Sequence, residues 1–250
     1  MGFSAIYCKN GTGLNRLEAS LIFEALATGC VPTSAYLSIH NMCCWIIDEF
    51  GSQEQIDKFL PSLVTMEDFA SYCLTEPDSG SDAKAMKTTA KKEGGEYILN
   101  GSKMFISGGS FSSLYIVYAR TSATDISAFI VPGDAKGISF GKKEDKMGWT
   151  NQPTALVSID NVRIPAANLI GKEGDGFKIA MKALDGGRIN IASCSLGGAS
   201  FCLEAAKNYM NSRKQFGKKL SDFQYLQFKY ADMASDVVSS RYFVIYSDYS

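Results

Sequence analysis

The chain has 250 residues, 46% of them hydrophobic, and a formal net charge of −1. That is apolar material for one large domain or two smaller ones, with no basic field for nucleic acid or acidic lipid. No apolar run approaches the ~20 residues of a membrane helix. The start, MGFSAIYCKN, has neither the apolar core of a secretory signal nor an arginine-rich leader, and Ile6 stands where a myristoylation signal carries Ser or Thr. The seven cysteines form no C-x-x-C pair, are odd in number and lie mostly in apolar surroundings, which reads as reduced core thiols. A single histidine, His40, argues against a zinc site and reads as a helix histidine with its hydrogen bonds met.

Leu14, Leu17, Leu21, Ile22, Ala25 and Leu26 recur at spacings of three and four, predicting a helix. Pro32 suits the first turn of a second helix, which Gly51 ends. Ser52 and Gln55 form a capping-box pair for a third, interrupted by Pro61. From Phe69 to about Gly171 the pattern becomes β. In EYILNGSKMFI, Asn100-Gly101 reads as a hairpin turn, which also accounts for the Asn100-Gly101-Ser102 sequon. Gly94-Gly95 gives another turn. LYIVYAR, SAFIVP, ISFGK and ALVSIDNVRIP are further short strands, closely spaced as in a sandwich or barrel. From about Asp175 the helical period returns in one long helix carried through to Gln215, weakened at Gly186-Gly187 and Gly197-Gly198. Another helix starts near Asp222 and runs to the terminus. The expected fold class is α+β multidomain: N-terminal helices over 1–68, a central antiparallel β-barrel or sandwich over 69–172, and a long-helix bundle over 173–250.

The stretch SYCLTEPDSGSD begins as a half-buried strand and breaks into small, polar, turn-forming residues. Either it is an ordinary surface turn, or its backbone lies against a ligand. GTGLNRL is a weak glycine-loop match, with no preceding strand and no third glycine.

Helices, then a β region, then long helices, together with YCLTEPDSGSDA, LNGSKMFISGG, EGDGF and SRKQFGKKLSDFQ, resemble the acyl-CoA dehydrogenase family over nearly the whole chain. The resemblance implies FAD as cofactor and an acyl-CoA thioester as substrate. It makes Tyr72, Leu74 and Thr75 flavin contacts, and Gly80 and Ser81 the points where the loop meets flavin and acyl-CoA. Phe105 covers the flavin edge, Ile106 follows it, and the Ser107 hydroxyl donates toward N5, the atom that receives the hydride. Asp78 stands where the family has glycine; were the backbone there at positive φ, aspartate would adopt it at a modest cost. Arg213, Lys214, Gln215, Phe223 and Gln224 match a segment that reaches the flavin of a neighbouring subunit, an arginine fork suiting a pyrophosphate. That implies a homo-oligomer, a tetramer in the family. Asp185, Gly186, Gly187 and Arg188 match the acyl-CoA channel, with the arginine near the reacting centre.

FEALATGC, SIHNMC and GGRINIASCSLG further resemble the branch that handles isobutyryl-CoA in valine breakdown. The implied reaction removes an α proton and sends a β hydride to the flavin, which electron-transfer flavoprotein re-oxidises in the mitochondrial matrix. The resemblance places the base, a glutamate, beyond residue 250. A minority of the family carry it where this chain has Gly187, which accepts no proton. The expectation is therefore a chain short at both ends. It is either part of a flavin-dependent dehydrogenase or a non-catalytic remnant that binds flavin or acyl-CoA weakly or associates with intact subunits.

Overall fold

The computed structural model describes residue 6 and residues 8–249, with side chains to residue 247. The chain divides into two compact units, one of Met1–Leu14 and Tyr36–Gly187, the other of Asn15–Ala35 and Arg188–Ser250.

Three helices come first: α1 (Arg16–Ala27), α2 (Val31–Phe50) and α3 (Gln53–Thr65). α1 starts at a capping box in which Asn15 accepts from the Glu18 N–H and Glu18 accepts from the Asn15 N–H. The Ser52–Gln55 box opens α3 as its spacing predicts. Gln55 is buried, and its Nε2 also donates to the carbonyls of Ala167 and Leu169 at 2.6 and 2.8 Å, tying α3 to the sheet. Pro61 does not interrupt α3, which runs on to Thr65. Pro61 and Asp57, whose carbonyl loses its partner to the proline ring, are both exposed, so the missing bond is open to solvent. His40 is buried and satisfied: its Nε2 meets the Leu63 carbonyl at 3.0 Å and its Nδ1 accepts from the Ala70 N–H at 3.1 Å. Burial holds it below the ordinary histidine value.

Eight strands make one mostly antiparallel sheet: β1 (Ala70–Cys73), β2 (Thr89–Glu93), β3 (Glu96–Ser107), β4 (Leu114–Arg120), β5 (Ile126–Pro132), β6 (Ile138–Phe140), β7 (Thr154–Pro165) and β8 (Leu169–Ile170). The order is β6-β7-β3-β2-β4-β5-β8, with β1 parallel to β4. The path does not close into a barrel. β2 meets β4 only at Thr89–Arg120, and there the sheet folds over. One core lies between the two layers and contains Tyr97, Leu99, Val157, Val162, Tyr115, Val117 and Phe129. The other joins the alternate residues Leu114, Ile116, Tyr118, Ala128 and Ile130 to Ile46, Ile47, Leu60, Leu63, Ile179 and Ala183. β4 and β5 are thus covered on both faces, which explains their continuous apolar runs.

Asn100-Gly101 is not a hairpin turn. β3 passes through it as one strand, with a register shift between Leu99 and Gly101, and the β2–β3 hairpin turns at Gly94-Gly95 instead. Gly101 has φ +152, and a Cβ there would sit 2.4 Å from Thr88 Oγ1 and 2.8 Å from Thr88 Cα. The glycine serves a close approach at a bulge.

The second unit is built on α4 (Gly176–Ser212) from Arg188 onward and on α5 (Gln224–Tyr249), with α1. The glycine pairs do not break α4. At Gly197 a Cβ would lie 2.2 Å from the Glu24 carbonyl oxygen, so the residue lets α1 pack against α4 backbone to backbone. Arg241 on α5 pairs with Glu24 on α1 at 2.6 Å and donates to Ser200 on α4 at 3.0 Å.

Candidate functional site

β1 feeds the segment 74–82, whose turn is closed by Glu76 N–H to the Ser79 carbonyl at 2.9 Å and Ser79 N–H to the Glu76 carbonyl at 3.1 Å. The Ser79 hydroxyl donates to the Asp82 carbonyl at 2.6 Å. The turn is pinned from within by an ion pair that the sequence did not reveal. Lys103 on β3 is fully buried and its Nζ lies 2.7 Å from Glu76 Oε1. It also donates to the Leu74 carbonyl at 3.2 Å. Glu76 further accepts from the N–H groups of Lys87 and Thr88 at 2.6 and 3.1 Å. Burial pulls the Lys103 ammonium below the ordinary lysine value, Glu76 opposing. Burial also pushes the Glu76 carboxyl up, but the donors from Lys103, Lys87 and Thr88 together outweigh it and hold it below the usual carboxylate value.

The same segment is joined to the end of β3. Met104 N–H donates to the Thr75 carbonyl at 2.8 Å, and the Ser71 hydroxyl donates to the Ser107 carbonyl at 2.6 Å. Between these bonds the register shifts again, between Lys103 and Ile106. Phe105 sits in the bulge at φ +59, and the residue is 59% exposed. A phenylalanine in left-handed backbone is strained, and such strain concentrates at functional sites. Ser107 Oγ accepts from Gln152 Nε2 at 2.5 Å, which leaves the serine proton for another acceptor. Gln152 is 4% exposed, and its Oε1 is buried with no partner.

Tyr72, Leu74, Thr75, Phe105 and Ser107 therefore come together on β1, β3 and the segment between. Tyr72 packs edge-on against Tyr118 with ring centroids 5.2 Å apart and reaches the Ala180 carbonyl at 3.3 Å. Gly80 and Ser81 are exposed on the turn, and a Cβ at Gly80 would meet nothing within 4 Å. Ile106 faces away, buried in the inter-layer core, so only its backbone belongs to the site. Asp78 is not among the positive-φ residues. It needs no glycine-like backbone, and its charge is met by Lys87 at 2.7 Å, both side chains exposed.

Asp185, Gly186, Gly187 and Arg188 are consecutive on α4. Asp185 and Arg188 are exposed and Gly186 is buried. A Cβ at Gly187 would stand 3.3 Å from Met42 Sδ.

In the second unit, α4 ends at Ser212, short of the expected Gln215. Lys214–Gln215 (β9) and Lys218–Lys219 (β10) form a hairpin, turned by Phe216 and Gly217 at φ 51 and 77, the pattern of a tight two-residue turn. The Leu220 N–H returns to the Arg213 carbonyl at 2.9 Å. Lys218 Nζ lies 4.2 Å from the Phe223 ring centroid. Arg213, Lys214, Gln215, Phe223 and Gln224 thus share one exposed, basic, aromatic hairpin and the start of α5.

Three profiles of one family cover the chain in sequence: "Acyl-CoA dehydrogenase, N-terminal domain" over residues 1–67, "middle domain" over 71–162 and "C-terminal domain" over 174–246. The chain belongs to the acyl-CoA dehydrogenase family. Within it, the mitochondrial isobutyryl-CoA dehydrogenase of Dictyostelium discoideum is 56% identical over 248 residues, 96% of this chain and 60% of the relative. Butyryl-CoA dehydrogenase from Megasphaera elsdenii superposes with a TM-score of 0.93 at 39% identity, over 97% of this chain and 67% of that one. Glutaryl-CoA dehydrogenase from Mycobacterium smegmatis, solved with FADH2, gives 0.89 at 31% identity, over 94% and 61%. The chain spans about 60% of the length of the curated relatives it matches.

Three side chains of the site escaped the sequence reading. Lys103 carried a signal: the alternation through Tyr97 and Leu99 sets it in the inward phase, where a lysine requires a partner. Glu76 carried the complementary one, a carboxylate after an apolar strand end. Gln152 carried none, being a lone glutamine in an irregular loop.

Proposed function

We propose that this chain supplies the flavin cradle of an FAD-dependent dehydrogenase acting on a short branched-chain acyl-CoA, isobutyryl-CoA being the substrate in the name of its relatives. The observation that carries the reading is the bulge at Phe105, which presents a strained, exposed aromatic ring beside a hydroxyl whose proton is uncommitted. A tricyclic ring asks for a flat apolar surface, a directed donor and close access. Phe105, Ser107 and the open space at Gly80 match those needs. Bound there, FAD would supply the hydride acceptor.

The protein's part is positioning. Tyr72, Leu74 and Thr75 line the strand side, Gly80 and Ser81 the loop edge, and Phe105 and Ser107 the bulge. Arg213, Lys214, Gln215, Phe223 and Gln224 serve a pyrophosphate or adenine, in the family that of a neighbouring subunit, which favours a homo-oligomer. Asp185, Gly186, Gly187 and Arg188 border the thioester. The α proton requires a carboxylate of tuned pKa, and the thioester oxygen requires donors where its charge develops. The word mitochondrial in those relatives' names supports the matrix as compartment, and the family resemblance supports electron-transfer flavoprotein as electron acceptor.

The test is titration of the purified chain with FAD, then addition of isobutyryl-CoA or hexadecanoyl-CoA while the visible flavin spectrum is recorded. Saturable FAD binding and a spectral change at lower concentrations of the branched thioester support the reading. Absence of saturable FAD binding, or a spectrum indifferent to both thioesters, overturns it.

A further inference from the structure

Resting on that reading, we propose that Gln152 is a positioning residue that keeps the Ser107 hydroxyl a donor toward the bound flavin. The argument is one of proton count. A serine hydroxyl has one proton to give and lone pairs to receive. Gln152 Nε2 occupies a lone pair of Ser107 Oγ at 2.5 Å, so the serine proton is not used on the amide. Were the neighbour an acceptor, Ser107 would give its proton there and offer the flavin only a lone pair.

Gln152 is built for that role. It is 4% exposed, and its backbone is held at both ends: its N–H donates to the Trp149 carbonyl at 3.1 Å and its carbonyl accepts from Lys146 Nζ at 2.7 Å. Lys146 also reaches Thr154 Oγ1 at 2.8 Å, anchoring the loop to the start of β7, where Thr154 pairs with Ser107. The side chain is thus aimed at Ser107 from a fixed base. Its Oε1, buried and unpartnered, is a second polar atom at the same place that no protein donor meets. A buried acceptor of that kind calls for a donor from outside the chain.

The test compares Gln152→Glu, Gln152→Met and Ser107→Ala, alone and combined, in the full chain. The readouts are the FAD dissociation constant and the visible flavin spectrum, with thermal midpoints confirming folding. Glutamate accepts where glutamine donates, so Q152E captures the serine proton. Its FAD affinity falls about tenfold, to that of S107A, with the same spectrum, and the double variant falls no further. Q152M removes the amide but leaves the proton free, and costs about threefold. A purely structural role predicts FAD losses that track the fall in thermal midpoint and add to that of S107A. If Q152E does not fold, the Q152M/S107A cycle decides: the FAD loss from S107A is smaller in the Q152M background. Q152M as damaging as Q152E, or losses that add fully in either cycle, overturns the proposal while leaving the flavin reading intact. Failure of the unaltered chain to bind FAD overturns both.

Discussion

The segment 74–82 and the hairpin 213–223 are both short, polar and glycine-bearing, but they are held in different ways. The first is fixed from a distance. Glu76 is gripped by Lys87, Thr88 and Lys103, and Ser71, just before the segment, reaches Ser107 across 36 positions. The second holds itself, through Leu220 to Arg213, Lys219 to Asp222 and the Phe216-Gly217 turn. A surface fixed by buried long-range bonds opens only with its unit, whereas one fixed by exposed local bonds opens alone. The contrast matches the proposed division of labour: rigid placement of the ring in one unit, an exposed charged arm in the other.

The largest expected break comes from Lys103→Met. It strands Glu76 in the interior, a change that costs about 3–5 kcal/mol where a buried pair loses one partner. Urea unfolding measures it. Glu76→Leu/Lys103→Met regains only part of the loss: the unpaired charge is gone, but the Lys87 and Thr88 N–H groups lose their acceptor. Next is Gly101→Ala, which drives a methyl into Thr88; about 3 kcal/mol is expected from the same assay.

The pH dependence sharpens the comparison. Glu76 lies below its ordinary value when folded. Its stabilisation is therefore complete above the unfolded value of about 4.3 and is lost as pH falls through that value toward the folded one. The urea midpoint of the unaltered chain should drop more between pH 6 and pH 3.5 than that of Glu76→Gln. Equal drops would show that Glu76 does not carry the loop. The smallest effect belongs to the hairpin: Gly217→Ala, at φ 77, costs about 1 kcal/mol. Hydrogen exchange should rise over 213–223 and leave 74–82 unchanged.

How far the sequence was legible follows the same line between local and long-range. The capping box at Ser52–Gln55, the apolar runs of β4 and β5 and the turn at Gly94-Gly95 are written in neighbouring residues, and the structure has them. Asn100-Gly101 misled because the turn signal is local while the cause is Thr88 pressing on the strand from outside. Pro61 misled because its cost depends on whether water reaches Asp57, and Gly197 because its reason is a helix 170 positions away in the chain. In the candidate site, the motif residues came from resemblance. Of the atoms that hold them, those of Lys103 and Glu76 had a trace in the strand alternation, though their pairing did not, and those of Gln152 came from burial and partner geometry that no spacing encodes.

The central claim is that 72–75, 80–81 and 105–107 form one shelf for the flavin ring. The most direct measurement is a crystal structure of the chain grown with FAD. The account predicts the ring against Phe105, with Ser107 Oγ within about 2.7–3.2 Å of the ring nitrogen N5. A flavin bound elsewhere on the chain, or one at this shelf whose N5 lies out of reach of Ser107, would contradict it.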